Sequence, residues 1–519
     1  MVSFFSLQTL LLPSLFFFLS TISAASCPST PSPPTPLPPD ILTILPQLLS
    51  PQSQILLPSS PSFPFYSTRF SAEQGTPTFQ AIILPRTESD ISQIIKYSNS
   101  HNLPFLAISG QHGSWYPLEN FNGIGISLRN LSTRISLDKD GRHATIGGGM
   151  NVYETVQYLW SKGKQTTTGI CECVGVISPG LGGGHGLFQG QYGLVGDQWV
   201  EARVVLADGK VVRVSEKENK DLWWGLRGAG HNYGVVSEVK VKVYDTPKGK
   251  ESWSWESFSF KGKKLEVLYE WVNKGLIGTQ PAELVHWSMW SLDKNIDPEN
   301  PVITFSLYYN GPASELKMYS ENIHNLGPVA HKEGVVEYSK MSAVFGADIN
   351  GGFCSKNQNP NVALRASDVI SYEIPALRKA YDLLSSGLKS EPAFAYSVVM
   401  LEGYSVQGVQ AVPAESAAYP HRAQRILQAP TIVWPRGTNE TLDEEAQGLA
   451  RKLWIAISGT TEKRSYVNYA WGDEGPQALY GYEPWRLQKL RALKKKYDPE
   501  SRFGYFASVE TKSKGHGDI

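Results

Sequence analysis

Glycine-rich turns are concentrated between residues 110 and 234, and they limit what this part of the chain can fold into. They include Gly147-Gly148-Gly149, Gly182-Gly183-Gly184 and the segment W-G-L-R-G-A-G-H-N-Y-G over residues 224–234. Such turns let the backbone approach a flat ligand or a neighbouring segment closely, and their exposed amides form anion-binding nests. We therefore expect nests that can hold a pyrophosphate at residues 109–113 and 180–184.

Three common ligand-binding and catalytic patterns are absent from the sequence. A full G-x-G-x-x-G fingerprint is missing, which argues against a Rossmann NAD site. The G-x-x-x-x-G-K-[ST] pattern of P-loop nucleotide sites and the G-x-S-x-G elbow of hydrolases are also missing. The glycine turns therefore point to a different ligand class.

The first of these turns follows a predicted strand–helix–strand unit. Residues 79–84 and 105–108 are apolar runs typical of buried strands, and residues 88–101 carry apolar side chains at helical spacing. The turn at His112 then lies at the carboxyl end of a strand, where ligands usually bind. Further predicted elements are a helix over 152–160, a hairpin over 200–214 with an Asp208-Gly209 turn, strands over 235–243 and 302–308, and helices over 376–384 and 485–496.

Two potential nucleophiles stand in small-residue turns. His112 lies in Ile108-Ser109-Gly110-Gln111-His112-Gly113, and Cys171 lies in Gly169-Ile170-Cys171-Glu172-Cys173-Val174-Gly175. Each residue alone is more often structural than functional. Together with the glycine turns, however, they resemble the flavin domain of FAD-linked oxidases of the vanillyl-alcohol oxidase superfamily, in particular the berberine-bridge-enzyme-like branch. The resemblance is strong over residues 77–247 and moderate over 465–511.

This resemblance implies FAD attached at two points. The histidine would bond the flavin 8α-methyl carbon, and the cysteine of C-x-x-V-G would bond flavin C6. The sequence departs from the family pattern at Gln111, where glycine is usual, and at Ser178-Pro179. The cofactor-binding residues that it implies are Ser109, Gly110, Gln111, His112, Gly113, Cys171, Val174, Gly175, Gly180, Gly182, Gly183, Gly184, Gly234 and Val235.

The resemblance also implies roles at the reaction centre. Val174 would lie beside flavin C4a, where valine is typical of oxidases and leucine of dehydrogenases, because one extra methylene can close a pocket sized for O2. Tyr466 and Tyr469 match a Y-x-N-Y pair of carbohydrate oxidases, whose second tyrosine takes the substrate hydroxyl proton. Two tyrosines that only pack against the flavin edge are an equal alternative. His421 and Arg422 are either functional or part of a solvated loop.

The expected fold class is α+β. A PCMH-type FAD-binding domain of two subdomains is expected over residues 77–248, and a substrate domain with an antiparallel sheet and helices over 249–460. A berberine-bridge-like segment over 461–519 would return to the FAD domain. Residues 26–76, rich in Pro and Ser, are expected to form a poorly packed leader.

Residues 4–19 are mostly apolar and are followed by Ser23-Ala24-Ala25, which is typical of a cleaved secretory signal over residues 1–25. A membrane anchor is the alternative, but Gln8 and Pro13 interrupt the run and a span needs about 20 apolar residues. The sequons at Asn130 and Asn439 fit a secreted glycoprotein. We expect a protein that is secreted or retained in the secretory lumen, with no membrane attachment after signal cleavage.

The four cysteines Cys27, Cys171, Cys173 and Cys354 allow three pairings. If flavin occupies Cys171, as the resemblance implies, Cys27–Cys354 becomes the expected disulfide. A metal site at Cys171 and Cys173 is disfavoured, because no second Cys/His pair at ligand spacing lies near them. We therefore expect no metal.

The 519-residue chain has zero formal net charge and 41% hydrophobic residues, so it suits a globular protein and offers no basic surplus for nucleic acid. The expected function is oxidation of a C–H bond next to O or N in a small molecule by a monomer, with O2 accepting the electrons to give H2O2. Tailoring of a specialised metabolite is the first expectation and an oligosaccharide oxidase the second. A flavin- or glycan-binding protein without turnover is the alternative class.

Overall fold

The structure is a computed structural model, and it describes residues 36–131, 134–355, 359–459 and 462–510. The strands are β1 (Gln54–Leu56), β2 (Thr78–Leu84), β3 (Phe105–Ile108), β4 (Asn122–Ser127), β5 (Ile135–Leu137), β6 (His143–Gly147), β7 (Lys164–Gln165), β8 (Trp199–Val205), β9 (Val211–Ser215), β10 (Val235–Lys242), β11 (Tyr244–Asp245), β12 (Ser252–Lys261), β13 (Leu284–Ser291), β14 (Val302–Asn310), β15 (Ala330–Glu337), β16 (Asn361–Leu364), β17 (Ser367–Val369), β18 (Val398–Tyr404) and β19 (Ile426–Trp434). The helices are α1 (Leu45–Leu48), α2 (Phe63–Ser67), α3 (Glu88–Ser100), α4 (Val152–Ser161), α5 (Ser178–Leu181), α6 (Gln189–Tyr192), α7 (Lys220–Ala229), α8 (Leu265–Gly275), α9 (Ala313–His324), α10 (Met341–Val344), α11 (Ile374–Ser390), α12 (Gln407–Gln410), α13 (Glu440–Ile457), α14 (Pro476–Tyr480) and α15 (Pro484–Tyr497).

The first sheet has the strand order β1-β2-β4-β3, and β4 pairs in parallel with both β2 and β3. Helix α3 connects β2 to β3, and a capping box starts it: the Thr87 side chain accepts from the Asp90 amide, and the Asp90 carboxylate accepts from the Thr87 amide. The predicted strand–helix–strand unit is confirmed, and the His112 turn follows β3 directly.

The second sheet is antiparallel, with the order β5-β6-β10-β8-β9. Strands β8 and β9 form the predicted hairpin, and Gly209 in its turn has φ +79°, a conformation that favours glycine. Trp199, Val204 and Trp223 lie in the core beneath this sheet.

The third sheet is antiparallel, with the order β15-β12-β14-β13-β18-β19-β16, and β17 also pairs with β19. Side chains alternate between its faces. One face packs on α8, α11 and α13 through residues such as Phe305 and Leu401. The opposite face carries Trp287 and Glu402, which are direct partners on β13 and β18. The expected α+β class is confirmed.

The expected poorly packed leader over residues 26–76 is wrong for the part from residue 36 onward. Ile41 and Leu45 are buried and join the same core cluster as Ile91 of α3. Strand β1 pairs with β2, and the Asp90 carboxylate accepts hydrogen bonds from the Ser50 amide and hydroxyl. The apolar residues between the prolines therefore cover the first sheet. The predicted signal over residues 1–25 lies outside the described residues.

The C-terminal segment packs against the second sheet and α7. Lys494 and Asp498 form a buried ion pair of 2.6 Å, and Lys494 Nζ also donates to the Asn232 carbonyl. The Asn232 side chain accepts from the Val509 amide at 3.1 Å. The glycine-rich segment 224–234 therefore holds the tail in place. We propose that the FAD-binding domain spans residues 77–248, the substrate domain 249–460 and the C-terminal segment 461–519.

Among the helices in the described ranges, none has the length and apolar character that crossing a membrane requires.

Candidate flavin site

The turn at His112 and the turn at Cys171 interlock through two glycines. A Cβ on Gly110 would lie 2.8 Å from the Cys173 carbonyl oxygen, and a Cβ on Gly175 would collide with the Ser109 hydroxyl. Only glycine allows the two backbones to approach this closely. The sequence positions both nucleophiles on one rigid double turn.

The turn over residues 109–113 has the form of an anion nest. Gln111 has φ +60°, in the left-handed region. Within the described part of the chain, the amides of Gly110, Gln111 and Gly113 donate to no backbone carbonyl. The Gln111 side chain donates to the Tyr66 carbonyl at 2.8 Å and so points away from these amides. This turn can therefore receive an acidic group.

The turn over residues 180–184 differs from the expected anion nest. The amides of Gly180, Gly182 and Gly183 donate to carbonyls within residues 177–180. A Cβ on Gly182 would collide with Asn468, and one on Gly183 would lie 2.5 Å from the Tyr419 ring. These glycines serve close packing instead, because their amides are already bonded.

The imidazole of His112 and the sulfurs of Cys171 and Cys173 form one cluster. Their nitrogen and sulfur atoms all lie within 4.8 Å of one another, and His112 Nε2 lies 3.0 Å from Cys173 Sγ. The Phe70 ring stacks on the His112 ring with centroids 5.1 Å apart. The structure therefore brings the two predicted attachment residues together.

The expected Cys27–Cys354 disulfide is wrong, because Cys354 pairs with Cys173. Cys27 lies outside the described residues. Cys171 is a free thiol, and its sulfur is 3.7 Å from that of Cys173 and 3.9 Å from that of Cys354. Burial raises the pKa of the Cys171 thiol to about 11. The disulfide thus occupies the sulfur of Cys173, and Cys171 keeps the free thiol of this turn.

Tyr466 and Tyr469 lie side by side, with ring centroids 5.3 Å apart. Asn468 Nδ2 donates to the Tyr466 hydroxyl at 2.7 Å and to the Pro179 carbonyl at 3.0 Å, so it fixes the Tyr466 ring. Burial, and then the nearby Glu402 carboxylate, hold the pKa of Tyr469 well above its usual value. Cys171 lies close enough to Tyr469 to contribute to the same rise.

Glu402 is a functional candidate that the sequence reasoning missed. It lies on β18 and is buried, its Oε2 accepts a hydrogen bond from the Tyr404 hydroxyl at 2.7 Å, and its Oε1 has no hydrogen-bond partner within the described residues. Burial raises the pKa of its carboxyl to about 7. A signal was available, since a glutamate inside the apolar run V-V-M-L-E-G-Y seldom lies in a core without a role.

A second buried carboxyl, Asp368, lies on β17. Burial and the Glu402 charge hold its pKa well above the usual range. His185 is half-buried between Tyr404 and Tyr466, and desolvation lowers its pKa to about 4, so its ring is neutral at pH 7. The groups around Glu402 are therefore polar, and burial disfavours their charged forms.

His421 and Arg422 are not on a solvated loop, since both are almost fully buried. Arg422 forms a two-bond ion pair with Asp197, with distances of 2.8 and 2.9 Å. Burial lowers the pKa of His421 to about 3. Arg422 therefore has a structural role, in which it ties the loop before β19 to the turn before β8.

The chain matches the family models described as "FAD binding domain" over residues 79–215 and "Berberine and berberine like" over residues 465–510. It is 38% identical over 474 residues to the FAD-linked oxidoreductase chyH of Penicillium rubens. This alignment covers 90% of this chain and 93% of that protein. The chain is an FAD-linked oxidoreductase of the berberine-bridge-like family.

Two solved structures share the fold of this oxidoreductase. A chitooligosaccharide oxidase superposes with a TM-score of 0.77 at 23% identity and covers 91% of this chain and all of that one. The glucooligosaccharide oxidase from Acremonium strictum, described with a 6-S-cysteinyl, 8α-N1-histidyl FAD, has a TM-score of 0.74 at 24% identity and covers 88% and 97%.

The residues of this oxidoreductase fit FAD at the interlocked turns. The amides of Gly110, Gln111 and Gly113, which donate to no backbone carbonyl within the described residues, suit a pyrophosphate, and the His112–Cys171 pair suits a flavin edge. Val174 is partly exposed on the same turn. The Val235 side chain lies in the hydrophobic core, so only its backbone could reach a cofactor.

Proposed function

We propose that this FAD-linked oxidoreductase is a secreted oxidase. It removes a hydride from a C–H bond next to oxygen or nitrogen in a small organic substrate, and O2 receives the two electrons to form H2O2. The observation that carries this proposal is the buried Glu402 carboxylate, which lies close to the Tyr469 phenol and Cys171 and whose Oε1 has no hydrogen-bond partner within the described residues. This arrangement supports a proton acceptor next to the proposed cofactor attachment.

FAD would be held covalently by both His112 and Cys171. The distance of at most 4.8 Å between their reactive atoms supports this assignment, as does the doubly linked FAD of the Acremonium strictum glucooligosaccharide oxidase. When bound, FAD accepts the hydride and passes its electrons to O2. The protein supplies the position of the substrate, the path of the proton and the exclusion of water.

Tyr469 and Glu402 would form a proton relay. The raised pKa of Tyr469 means that its phenolate is scarce at neutral pH, so the phenol cannot serve alone as a stored base. Glu402 has a pKa of about 7 and is partly ionised there. Tyr469 therefore takes the substrate hydroxyl proton as it gives its own to Glu402. Tyr466, fixed by Asn468, positions the substrate.

The wall beside Glu402 favours a flat and largely apolar substrate. Trp287 is the cross-strand partner of Glu402 on the same face of the sheet, and its ring packs against Phe345 at 4.7 Å. Phe345 in turn packs on Tyr308 at 4.4 Å. The Trp287 indole N–H has no hydrogen-bond partner in the described part of the chain, so it can bind a substrate carbonyl or hydroxyl. An aromatic specialised metabolite fits this wall.

An oligosaccharide is the second candidate substrate. The structural similarity to chitooligosaccharide and glucooligosaccharide oxidases and the Tyr466–Tyr469 pair favour it. Sugars also stack on indole rings, so the half-buried Trp287 would serve both substrate classes. The packed rings of Trp287, Phe345 and Tyr308 beside Glu402 favour the aromatic metabolite.

We also propose that the small Val174 side chain leaves room for O2 beside the flavin. We further propose that the protein is secreted as a monomer. The Cys173–Cys354 disulfide fits an oxidising compartment, which agrees with the signal-like residues 1–25. Asn439 is exposed at the start of α13 and is accessible to a glycan. Mass spectrometry of protein secreted by a eukaryotic host would test cleavage after residue 25 and glycosylation at Asn439.

Oxygen uptake over a panel of aromatic alcohols, amines, polyketide-like phenols and oligosaccharides tests the function. We expect uptake with equimolar H2O2 and anaerobic bleaching of the flavin by an aromatic member. Bleaching by oligosaccharides alone would replace the first substrate class by the second. A yellow protein that no panel member bleaches would support a binding protein without turnover.

A further inference from the structure

One buried carboxylate lies against two histidines at the edge of the third sheet, on the face opposite Trp287. Glu256 is on β12, His324 is the last residue of α9, and His331 is on the edge strand β15. Glu256 Oε2 lies 3.2 Å from His331 Nε2 and 3.8 Å from His324 Nε2. The three donor atoms lie within 4.8 Å of one another.

The burial of Glu256 requires a positive partner. Its side chain is only 4% exposed, whereas those of His324 and His331 are 49% and 29% exposed. In the described ranges, its ion-pair partners are these two histidines alone, and neither lysine nor arginine reaches it. A carboxylate held out of water is costly unless it is paired with a cation or bound to a metal.

The carboxylate and both rings are held in position by neighbours. Ser320 Oγ donates to Glu256 Oε1 at 2.9 Å, which leaves Oε2 directed at the histidines. Phe258 stacks on His331 with centroids 4.7 Å apart and meets His324 edge to face at 4.9 Å. Outer contacts of this kind orient the ligands of metal sites in proteins.

We propose that Glu256, His324 and His331 bind a zinc ion, with the fourth position open to water. Two imidazoles and one carboxylate form a ligand set that zinc accepts, and ligands about 2.0–2.2 Å from a tetrahedral ion stand about 3.4 Å apart. The distances of 3.2 and 3.8 Å need only small side-chain adjustments. The ion joins the end of α9 to the edge strand β15. The site is independent of the flavin chemistry.

A second cluster, Asp138, Asp140 and His143, provides an internal contrast. Its donor atoms also lie close together. However, Asp138 pairs with Lys240 at 2.5 Å and Asp140 pairs with Arg142 at 2.9 Å, so both carboxylates already have cations. Among the described residues, no lysine or arginine pairs with Glu256, which is why we assign zinc there.

The test measures zinc binding to the FAD-loaded full-length protein after treatment with EDTA and dialysis. Competition with a chromophoric chelator should give one tightly bound Zn2+ per chain. His324→Asn, at a half-exposed position where folding is tolerant, should remove this equivalent, and Glu256→Gln should do the same. Ser320→Ala should weaken binding by about 10–100-fold without abolishing it, as loss of an outer contact does. The unchanged flavin spectrum reports that each variant is folded.

His143→Asn is the matched control and should keep the full zinc equivalent. The proposal is overturned if the wild-type protein binds no zinc, or if His324→Asn retains the wild-type affinity. It is also overturned if His143→Asn removes the equivalent. If Glu256→Gln fails to fold, His324→Asn and Ser320→Ala decide the question.

Discussion

His112 Nε2 lies 3.0 Å from the Sγ atom of Cys173. Cys173 is not the cysteine that the family resemblance assigns to flavin. Its sulfur nevertheless lies within hydrogen-bond distance of the His112 nitrogen. Its thiol is removed by the disulfide to Cys354, and Cys171 is left as the free thiol of the cluster. The choice of attachment residue therefore depends on Cys354, which is distant in the sequence.

We predict that Cys354→Ser lowers the fraction of doubly attached flavin. The freed Cys173 thiol lies 3.7 Å from the Cys171 sulfur and can form a disulfide with it or take its place. Mass spectrometry of flavin-bearing peptides should show more protein linked through His112 alone. The double variant Cys173→Ser, Cys354→Ser should restore the Cys171 link. An unchanged doubly linked fraction in Cys354→Ser would refute this dependence.

The double attachment itself is the second prediction. Acid-denatured wild-type protein should keep its yellow colour and carry flavin mass on the peptides that contain His112 and Cys171. His112→Ala should keep one link, through Cys171, and Cys171→Ala should keep the other. Complete release of flavin from wild-type protein by acid would contradict both assignments.

Local patterns in the sequence predicted much of the fold. Helix α3, the hairpin β8–β9 and helix α15 lie within a few residues of the predicted ranges, since periodicity and turn glycines act locally. The packing of residues 36–76 was missed, because prolines suggested a linker while Ile41 and Leu45 found partners on a distant helix. Composition does not reveal such partners.

The sequence predicted the two attachment residues of the flavin site, but it did not predict the buried carboxylate Glu402. His112 and Cys171 stand in short motifs, so their proximity followed from the family pattern. Glu402 lies near Tyr469 only because β18 faces the C-terminal segment, and residue spacing cannot show this proximity across 67 residues of sequence. The same reason hides the cluster around Glu256, whose ligands come from three separate elements.

The third prediction concerns O2. Val174→Leu adds one methylene on the turn that carries Cys171, and it should slow reoxidation of reduced flavin by about tenfold or more, the scale on which one methylene affects a fitted pocket. Anaerobic reduction by substrate should stay nearly unchanged. Val174→Ala is the size control and should reoxidise at least as fast as wild type. If stopped-flow traces give equal reoxidation rates for wild type and Val174→Leu, Val174 does not control the access of O2.

The fourth prediction concerns pH. Glu402 accepts the proton only when ionised, and burial raises its pKa to about 7. The rate of anaerobic flavin reduction should therefore rise with pH through about 7 and level off above it. Glu402→Gln keeps the size of the side chain and should abolish this inflection while flavin content stays intact. A wild-type profile that is flat between pH 5 and 9 would argue against an ionising acceptor.

The fifth prediction separates the two tyrosines. Tyr469 lies near Glu402 and is proposed to transfer the substrate proton, whereas Tyr466 is held by Asn468 and only positions the substrate. Removal of a general acid–base group typically costs about 10²–10⁴-fold in rate, or about 3–5 kcal/mol of barrier. Tyr469→Phe should slow anaerobic flavin reduction by this amount, while Tyr466→Phe should mainly raise KM. If Tyr469→Phe reduces flavin at the wild-type rate, the phenol only packs against the cofactor, and Glu402 must take the proton directly from the substrate.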